Sequence, residues 1–102
     1  MVNSQRKILV TGATGQQGGS LCKLLLQKKH KVYALTRNTQ SSAAQDLKNR
    51  GANIVKGDLD DSNSLKHAVK DVESVFLIYP IYYYIINAKN FRNPYSLNKT
   101  LF

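Results

Sequence analysis

The feature that most constrains the fold of this chain is a glycine-rich turn near its start, which lies between an apolar run and a leucine-rich amphipathic stretch. The apolar run covers residues 8–11, and the turn continues as Gly12-Ala13-Thr14-Gly15-Gln16-Gln17-Gly18. A strand, a glycine turn and a helix in this order open the folds that bind dinucleotides. The pattern therefore predicts a parallel α/β fold with a phosphate site at the turn.

Each glycine of the turn has a separate predicted role. Gly12 permits a sharp exit from the strand, because a residue without Cβ reaches backbone conformations that other residues avoid. Gly15 lets the backbone approach a pyrophosphate, toward which the free N–H groups of the first helical turn point. Gly18, with Gly19 beside it, lets the helix lie close against the strand.

Strands and helices alternate along residues 1–78. Strands are predicted at residues 8–11, 31–36, 53–56 and 74–78, and helices at residues 16–29 and 41–50, with a third helix that begins near residues 60–62. This alternation implies a parallel sheet with right-handed crossovers. The predicted fold class is α/β, a partial doubly wound sheet of strand order 3-2-1-4 in three layers, α/β/α.

Local signals predict the buried faces and the ends of these helices. The buried stripe of the first helix is predicted from leucine spacing as Gly18, Leu21, Leu24 and Leu25, and that of the third as Leu65, Ala68, Val69 and Val72. Basic residues at positions 28–30 suit the last turn of the first helix, where positive charge complements the helix dipole. Ser41 or Ser42 offers a cap for the second helix, which Gly51 ends. Asp60, Asp61 and Ser62 read as capping residues of the third.

Composition excludes several classes of site. Cys22 is the single cysteine of 102 residues, so the sequence predicts a buried, inert thiol, no internal disulfide and no cysteine-bound metal. His30 and His67 read as surface residues, because neither has metal-ligand spacing around it. Neither a secretory signal nor an apolar stretch long enough to span a bilayer is visible, which gives a cytoplasmic expectation and no membrane partner.

The end of the second strand predicts which dinucleotide is bound. Sites that prefer NAD place an acid there, about twenty residues past the glycines, to bind the ribose hydroxyls. This chain has no acid before Asp46 and carries Arg37 at that place. A guanidinium can bind a 2′-phosphate with two hydrogen bonds, whereas the alternative is a solvated arginine in a basic protein. The sequence therefore predicts a preference for NADPH over NADH.

The third strand ends in a second candidate contact for the nucleotide. Asp58 follows the strand and Leu59 follows Asp58. The carboxylate can accept a hydrogen bond from the adenine amino group while the leucine covers the ring. The alternative is an aspartate that only forms the turn of a Gly-Asp pair.

These motifs together resemble the NmrA-like branch of the atypical short-chain dehydrogenases. The resemblance rests on residues 10–19 with their Gln-Gln-Gly-Gly continuation, on Thr36-Arg37-Asn38 and on Gly57-Asp58-Leu59, and it covers residues 7–78. It implies a Rossmann-like fold that binds NADP(H), in a family that includes redox-sensing regulators and NAD(P)H-dependent reductases of quinones or isoflavones. Carried over by position, the cofactor-binding residues are Gly12, Thr14, Gly15, Gln16, Gln17, Gly18, Arg37, Asp58 and Leu59.

Residues 79–102 depart from the family pattern and read as an irregular tail rich in aromatic residues and asparagine. The composition favours a truncated product that has lost the rest of the family's fold. The alternative is a real tail in which residues 81–86 supply a strand. Without such a strand, the apolar edge of strand four is expected to pair with another chain as a homo-oligomer.

A tyrosine and a lysine in this tail have the spacing of a catalytic pair. Tyr95 and Lys99 match the Tyr-x-x-x-Lys pattern of catalytic short-chain dehydrogenases. The pair is rejected as an active site, because Tyr95 directly follows Pro94 and no serine on a preceding strand completes the set. No catalytic residue is therefore predicted.

Three hypotheses about function follow from the sequence. The first is an NADP(H)-binding domain that is truncated or non-catalytic, or a redox sensor. The second is an active NAD(P)H-dependent reductase whose site is completed by oligomerisation. The third is a basic nucleic-acid-binding module, which the net charge of +9 alone favours. Because the basic residues are scattered, no nucleic-acid partner is expected.

Overall fold

The computed structural model describes residues 5–58, 61–78 and 83–87, and the strands among them form one sheet. The strands are β1 (Lys7–Val10), β2 (Lys31–Thr36), β3 (Asn53–Lys56), β4 (Ser74–Ile78) and β5 (Tyr83–Asn87). Their order across the sheet is β3-β2-β1-β4-β5. The first four strands are parallel, so the predicted order 3-2-1-4 is confirmed.

Three helices connect the parallel strands and cover both faces of the sheet. They are α1 (Gln16–Gln27), α2 (Ser42–Asn49) and α3 (Ser62–Ala68). Side chains of α1 and α2 pack into one apolar cluster, and those of α3 pack into another. The predicted three-layer α/β/α fold is confirmed.

The central strand β1 contributes to both apolar clusters, because successive residues of a strand face opposite sides of the sheet. Leu9 packs with Leu35, Leu65 and Leu77 on the α3 side. Ile8 and Val10 pack on the α1 and α2 side in a cluster that includes Ala13, Cys22, Leu25, Val32, Ala34 and Leu47. Both faces of β1 are therefore buried, as expected for the middle strand of a parallel sheet.

The buried stripe of α1 differs from the predicted one. Leu24 was expected to be buried, but 47% of its surface is exposed, whereas Cys22 is fully buried. Gly18, Cys22 and Leu25 form the observed stripe at intervals of four and three residues. The leucine-rich sequence allows two registers, and the side of α1 on which Gly18 meets the glycine turn decides between them.

The carboxyl end of α1 also comes earlier than predicted. The helix ends at Gln27 and Lys28 is its cap, so the basic residues at positions 28–30 lie beyond the last turn. Lys29 has a left-handed φ of 70°, the His30 amide donates to the Leu25 carbonyl and the Lys29 amide donates to the Leu26 carbonyl. This is the hydrogen-bond pattern of a Schellman motif, with lysine at the position that glycine prefers.

Caps define the other two helices. The Ser41 hydroxyl accepts from the Ala44 amide at 3.1 Å at the start of α2, and Gly51, with φ 108°, follows its end. At the start of α3 the Asp61 carboxylate accepts from the amides of Asn63 and Ser64. Asp61 is therefore the cap of α3, and Ser62 is the first helical residue. Asp60 lies outside the described residues.

Strand β5 covers the edge of β4 that faces away from β1. It pairs antiparallel with β4, with Ser74 opposite Asn87 and Ile78 opposite Tyr83. Because β4 also pairs with β1, it has a neighbouring strand on each side, and the edge predicted to pair with another chain is occupied by β5. The remaining residues of the tail, Tyr95 and Lys99 among them, lie outside the described residues.

Two classes of feature are absent from the residues that the structure describes. No helix in these ranges is long and apolar enough to cross a membrane. Within the same ranges, no three side chains of histidine, cysteine, aspartate or glutamate lie together as a group that could hold a metal ion.

Candidate functional site

The candidate residues follow the carboxyl ends of three neighbouring parallel strands. Gly12 lies just beyond β1, Arg37 directly follows β2, and Asp58 lies just beyond β3. Strands in a sheet are about 4.8 Å apart, so the three loops lie side by side along one edge. Ligands of open α/β sheets bind at this edge, next to the strand where the order reverses. Here that strand is β1, between β2 and β4.

The glycine turn presents backbone N–H groups at the start of α1. Gly12 has φ 60°, a left-handed conformation that glycine adopts without strain. The Gly12 carbonyl accepts from the Gly15 amide at 3.0 Å, which closes the turn. Gly15 is the N-cap of α1, and no side chain caps the helix. The first-turn N–H groups therefore face outward at the positive end of the helix dipole.

Gly18 sets how closely α1 approaches the turn. A Cβ built on Gly18 would overlap the Gly12 carbonyl oxygen and would lie 2.7 Å from the Gly12 carbonyl carbon. A Cβ on Gly15 would lie 3.3 Å from the same oxygen, and one on Gly19 would lie at ordinary contact distance, 3.4 Å from the Ala13 carbonyl oxygen. Gly18 is therefore the position of the turn where a side chain is excluded by the packing of backbone against backbone.

Thr11 joins the turn to the neighbouring strand at the point where the strand order reverses. Its amide donates to the Phe76 carbonyl of β4 at 3.0 Å, and its hydroxyl donates to the same oxygen at 3.4 Å. Thr11 is fully buried. The floor of the candidate site is thus fixed to β4 as well as to β1.

The loop after β2 carries Arg37 as an exposed side chain. Its guanidinium forms no ion pair with any of the described residues. The ion pair found among those residues joins Arg50 to Asp46. The Thr36 hydroxyl accepts from the Asn38 amide at 3.2 Å, on the far side of Arg37. Arg37 therefore projects a positive charge at the carboxyl edge from a loop that is hydrogen-bonded on both of its flanks.

The loop after β3 holds Asp58 in a turn that leads to α3. Its amide donates to the Ser64 hydroxyl at 3.1 Å, and its carbonyl accepts from the Asp61 amide at 3.0 Å. Asp58 is half-buried. The turn-forming role is thus visible, the contact with adenine stays a prediction, and Leu59 lies outside the described residues.

A surface cavity of about 250 Å³ adjoins the glycine turn on the side of α2. The turn residues that line it are Ala13, Thr14, Gly15 and Gln16, and α2 contributes Ala43, Asp46 and Leu47. Gln16 and Gln17 are exposed. The backbone of the turn is therefore accessible from solvent on this side.

The thiol of Cys22 does not belong to the candidate site. It is fully buried in the cluster beneath α1, and desolvation raises its pKa from 9.0 to about 12. Because the thiolate is the reactive form of cysteine, this thiol is held in its unreactive form at neutral pH, as the sequence predicts.

Sequence reasoning missed two hydroxyl groups that organise these loops. Thr36 and Ser64 each hydrogen-bond to backbone groups of the loop that carries a candidate residue. For Thr36 the signal was its position two residues before an asparagine at the end of a strand, since serine and threonine readily bond to backbone two residues on. Ser64 bonds to a backbone amide six residues earlier, across a turn, and that contact has no such local signal.

The chain is similar to proteins that are named as oxidoreductases or reductases. The NmrA-like family oxidoreductase ptmS of Penicillium ochrochloron is 40% identical over 79 residues, which cover 76% of this chain and 24% of that protein. The structure of AtPrR2 with NADP⁺ and (+)pinoresinol is 28% identical, with a TM-score of 0.68 over 78% of this chain and 28% of that one. Triphenylmethane reductase from Citrobacter sp. is 36% identical, with a TM-score of 0.61 over 74% and 27%.

The chain spans about a quarter of the length of these relatives. Its sequence matches the NmrA-like family over residues 4–90, which include the glycine turn, the Arg37 loop and β5. The match covers most of the chain, and the strand order and the structural neighbours agree with it. With its Rossmann-like sheet, this chain belongs to the NmrA-like family.

Proposed function

We propose that this chain binds NADP(H) as the nucleotide-binding part of an NmrA-like oxidoreductase. The observation that carries the proposal is the geometry at the start of α1. The N-cap there is Gly15, which makes no side-chain cap, and the helix packs against the Gly12 carbonyl because Gly18 has no side chain. A relative solved with NADP⁺ shares the fold and supports the choice of ligand.

The pyrophosphate is proposed to lie over the glycine turn. A helix N-terminus supplies N–H donors and a positive partial charge, both of which favour a phosphate group. Gly15 is exposed at this end and adds no side chain that would block the approach. Gly15 is preceded by Thr14 and followed by Gln16 and Gln17. These three side chains are proposed to surround the pyrophosphate and the nearby ribose.

Arg37 is proposed to select the phosphorylated nucleotide. It lies one strand away from the glycine turn, because β2 is the neighbour of β1. A guanidinium binds a phosphate with two parallel hydrogen bonds, and a charged interaction of this kind contributes about 1.5–3 kcal/mol. That difference corresponds to roughly ten- to a hundredfold tighter binding of NADPH than of NADH.

The adenine is proposed to lie beyond Arg37, at the end of β3. Asp58 follows that strand and precedes Leu59, so a carboxylate and an apolar side chain are adjacent in the chain at this end of the site. We propose that Asp58 accepts from the adenine amino group and that Leu59 covers the ring.

Binding without turnover, as in a redox sensor, is the proposed role of this chain. The groups at the carboxyl edge are glycine amides, a guanidinium and a carboxylate, which are groups that bind a nucleotide. The second candidate is an active reductase, favoured by relatives that are named as oxidoreductases or reductases. Oxidation of NADPH by the purified chain with a panel of quinones, followed at 340 nm, distinguishes the two.

The direct test is a thermal-shift assay with NADPH, followed by fluorescence titrations with NADPH and NADH. A ligand at ten times its Kd adds about 1.4 kcal/mol to the free energy of unfolding, so NADPH is expected to raise the Tm by several degrees. An unchanged Tm at millimolar NADPH refutes the binding proposal, and equal affinities for the two nucleotides refute the selection by Arg37.

A further inference from the structure

The position of the exposed Arg37 guanidinium depends on how well the backbone of its loop is ordered. The residue lies outside β2, in a loop of five residues that leads to α2. A loop of this length without further contacts would let the arginine sample many directions, and ordering it on binding would weaken affinity. The hydrogen bonds of the loop therefore bear on selectivity.

Thr36 closes a small hydrogen-bonded ring around the Arg37 backbone. Its hydroxyl accepts from the Asn38 amide at 3.2 Å and lies 3.4 Å from the Asn38 carbonyl oxygen, to which it donates. Hydroxyl side chains that bond two residues onward fix the residue between them in a turn. Thr36 itself is the last residue of β2, pairs with Lys56 and accepts from the Gly57 amide at 3.0 Å. The ring is thus attached to the sheet.

The far side of the loop is attached to α2. The Gln45 side-chain amide donates to the Thr39 carbonyl at 3.0 Å, and the Asn38 side chain accepts from the Gln40 amide at 2.9 Å. Ser41 then caps the helix. Arg37 therefore lies between an anchor on the sheet and an anchor on the helix.

We propose that Thr36 is a positioning residue for nucleotide selectivity: its hydroxyl, with Gln45 as the second anchor, holds Arg37 where it meets a 2′-phosphate. This inference rests on the proposed function. It adds that the discrimination between NADPH and NADH depends on a buried hydroxyl that does not touch the nucleotide. NADH carries no 2′-phosphate, so its affinity does not depend on this hydroxyl.

Thr36→Val and Thr36→Ser form a matched pair for the test. Valine keeps the shape and the strand preference of threonine at a site that is 8% exposed, and serine keeps the hydroxyl. The Asn38 amide, freed by Thr36→Val, lies in an exposed residue and can bond to water, so the fold is expected to persist. Loss of one neutral hydrogen bond corresponds to about a two- to tenfold loss of NADPH affinity.

Fluorescence titration of the full chain with NADPH and NADH measures the outcome. Thr36→Val is expected to lower the NADPH affinity and leave the NADH affinity unchanged, and Thr36→Ser is expected to restore the wild-type ratio. Gln45→Met, which keeps the length of the side chain but removes its amide, is expected to act in the same direction. In an Arg37→Ala background, Thr36→Val is expected to leave the ratio unaltered, because the arginine on which it acts is gone.

The failure of this inference differs from the failure of the proposed function. A wild-type chain without NADPH preference overturns the proposed selection by Arg37, and this inference with it. A wild-type preference that Arg37→Ala abolishes but Thr36→Val preserves overturns the role of Thr36 alone. An equal loss of affinity for both nucleotides in Thr36→Val also overturns it, because that result describes a general effect on the fold.

Discussion

The glycine turn and the Arg37 loop lie side by side at one edge of the sheet but are built in opposite ways. The turn is made of backbone: its donors are amides, and its close packing depends on the absence of a side chain at Gly18. The loop acts through one long side chain, and other side chains hold its backbone. Under the proposed function, the backbone part would recognise any diphosphate, and the side-chain part would choose between nucleotides.

This difference predicts how each region responds to substitution. In the turn, added atoms meet backbone that cannot move aside, so the expected damage is steric and includes the fold. In the loop, removed or reversed charge leaves the fold intact and alters selection. Three experiments, in order of decreasing expected effect, test this contrast.

The largest expected effect is the destabilisation of the chain by Gly18→Ala. The new Cβ would overlap the Gly12 carbonyl oxygen, and overpacking of this kind costs about 3 kcal/mol in the free energy of unfolding. Urea denaturation measures the loss. Gly19→Ala is the matched control, since its Cβ would lie 3.4 Å from the Ala13 oxygen and alanine favours the helix. Equal stability of the two variants would contradict the close contact at Gly18.

Next comes a change of selectivity in Arg37→Glu. Replacing the guanidinium with a carboxylate is expected to lower NADPH affinity by roughly ten- to a hundredfold, while NADH affinity and the free energy of unfolding stay near their original values. Arg6→Glu is the control for net charge, because Arg6 precedes β1 at the opposite end of the sheet. A similar loss in both variants would show that overall charge, and not the loop, selects the nucleotide.

Gly15→Val is expected to lower the affinity for both nucleotides alike, by about tenfold or 1.4 kcal/mol. Gly15 has an ordinary φ of −78° and its Cβ would lie 3.3 Å from the Gly12 oxygen, so the cost to the fold is smaller than at Gly18. The side chain would instead occupy the approach to the N–H groups of α1. Titration with both nucleotides checks this, and unchanged affinities would remove the turn from the binding site.

A separate prediction, outside this contrast, concerns the thiol buried beneath α1. The pKa of Cys22 is raised by burial from 9.0 to about 12, so between these values the unfolded chain releases a proton that the folded chain keeps. The thiol contribution to the free energy of unfolding therefore falls as the pH rises above 9, by up to about 1.4 kcal/mol per pH unit, and is constant below it. Denaturation between pH 8 and 11 measures the slope, with Cys22→Ala as the control; equal slopes would contradict the burial.

The first four strands and the glycine turn could be predicted from sequence because their signals are local. Residues 8–18 carry strand, turn and helix within eleven positions, and the acid missing from the end of β2 is visible by inspection. The capping residue Ser41 and the glycine that follows α2 are short-range signals of the same kind. Each of these depends on neighbours in the chain.

Features that depend on distant contacts were not predictable in the same way. The leucine spacing of α1 predicts that Leu24 is buried, but in the folded chain Gly18 packs against Gly12 and Leu24 is exposed. Strand β5 requires β4 as its partner, so its own composition left the question open. The anchoring of Arg37 by Gln45 likewise joins a loop to a helix face.

The position of β1 in the middle of the sheet has a consequence for how the molecule assembles. Its first neighbour, β2, follows after one helix, but the link between Lys7 and Glu73 at its other side joins residues 66 positions apart. Contacts so distant in sequence form slowly, because a large loop must close before the contacts can stabilise the fold. While a new chain leaves the ribosome, β1 and β2 can pair early, yet β1 keeps one open side until β4 has been made.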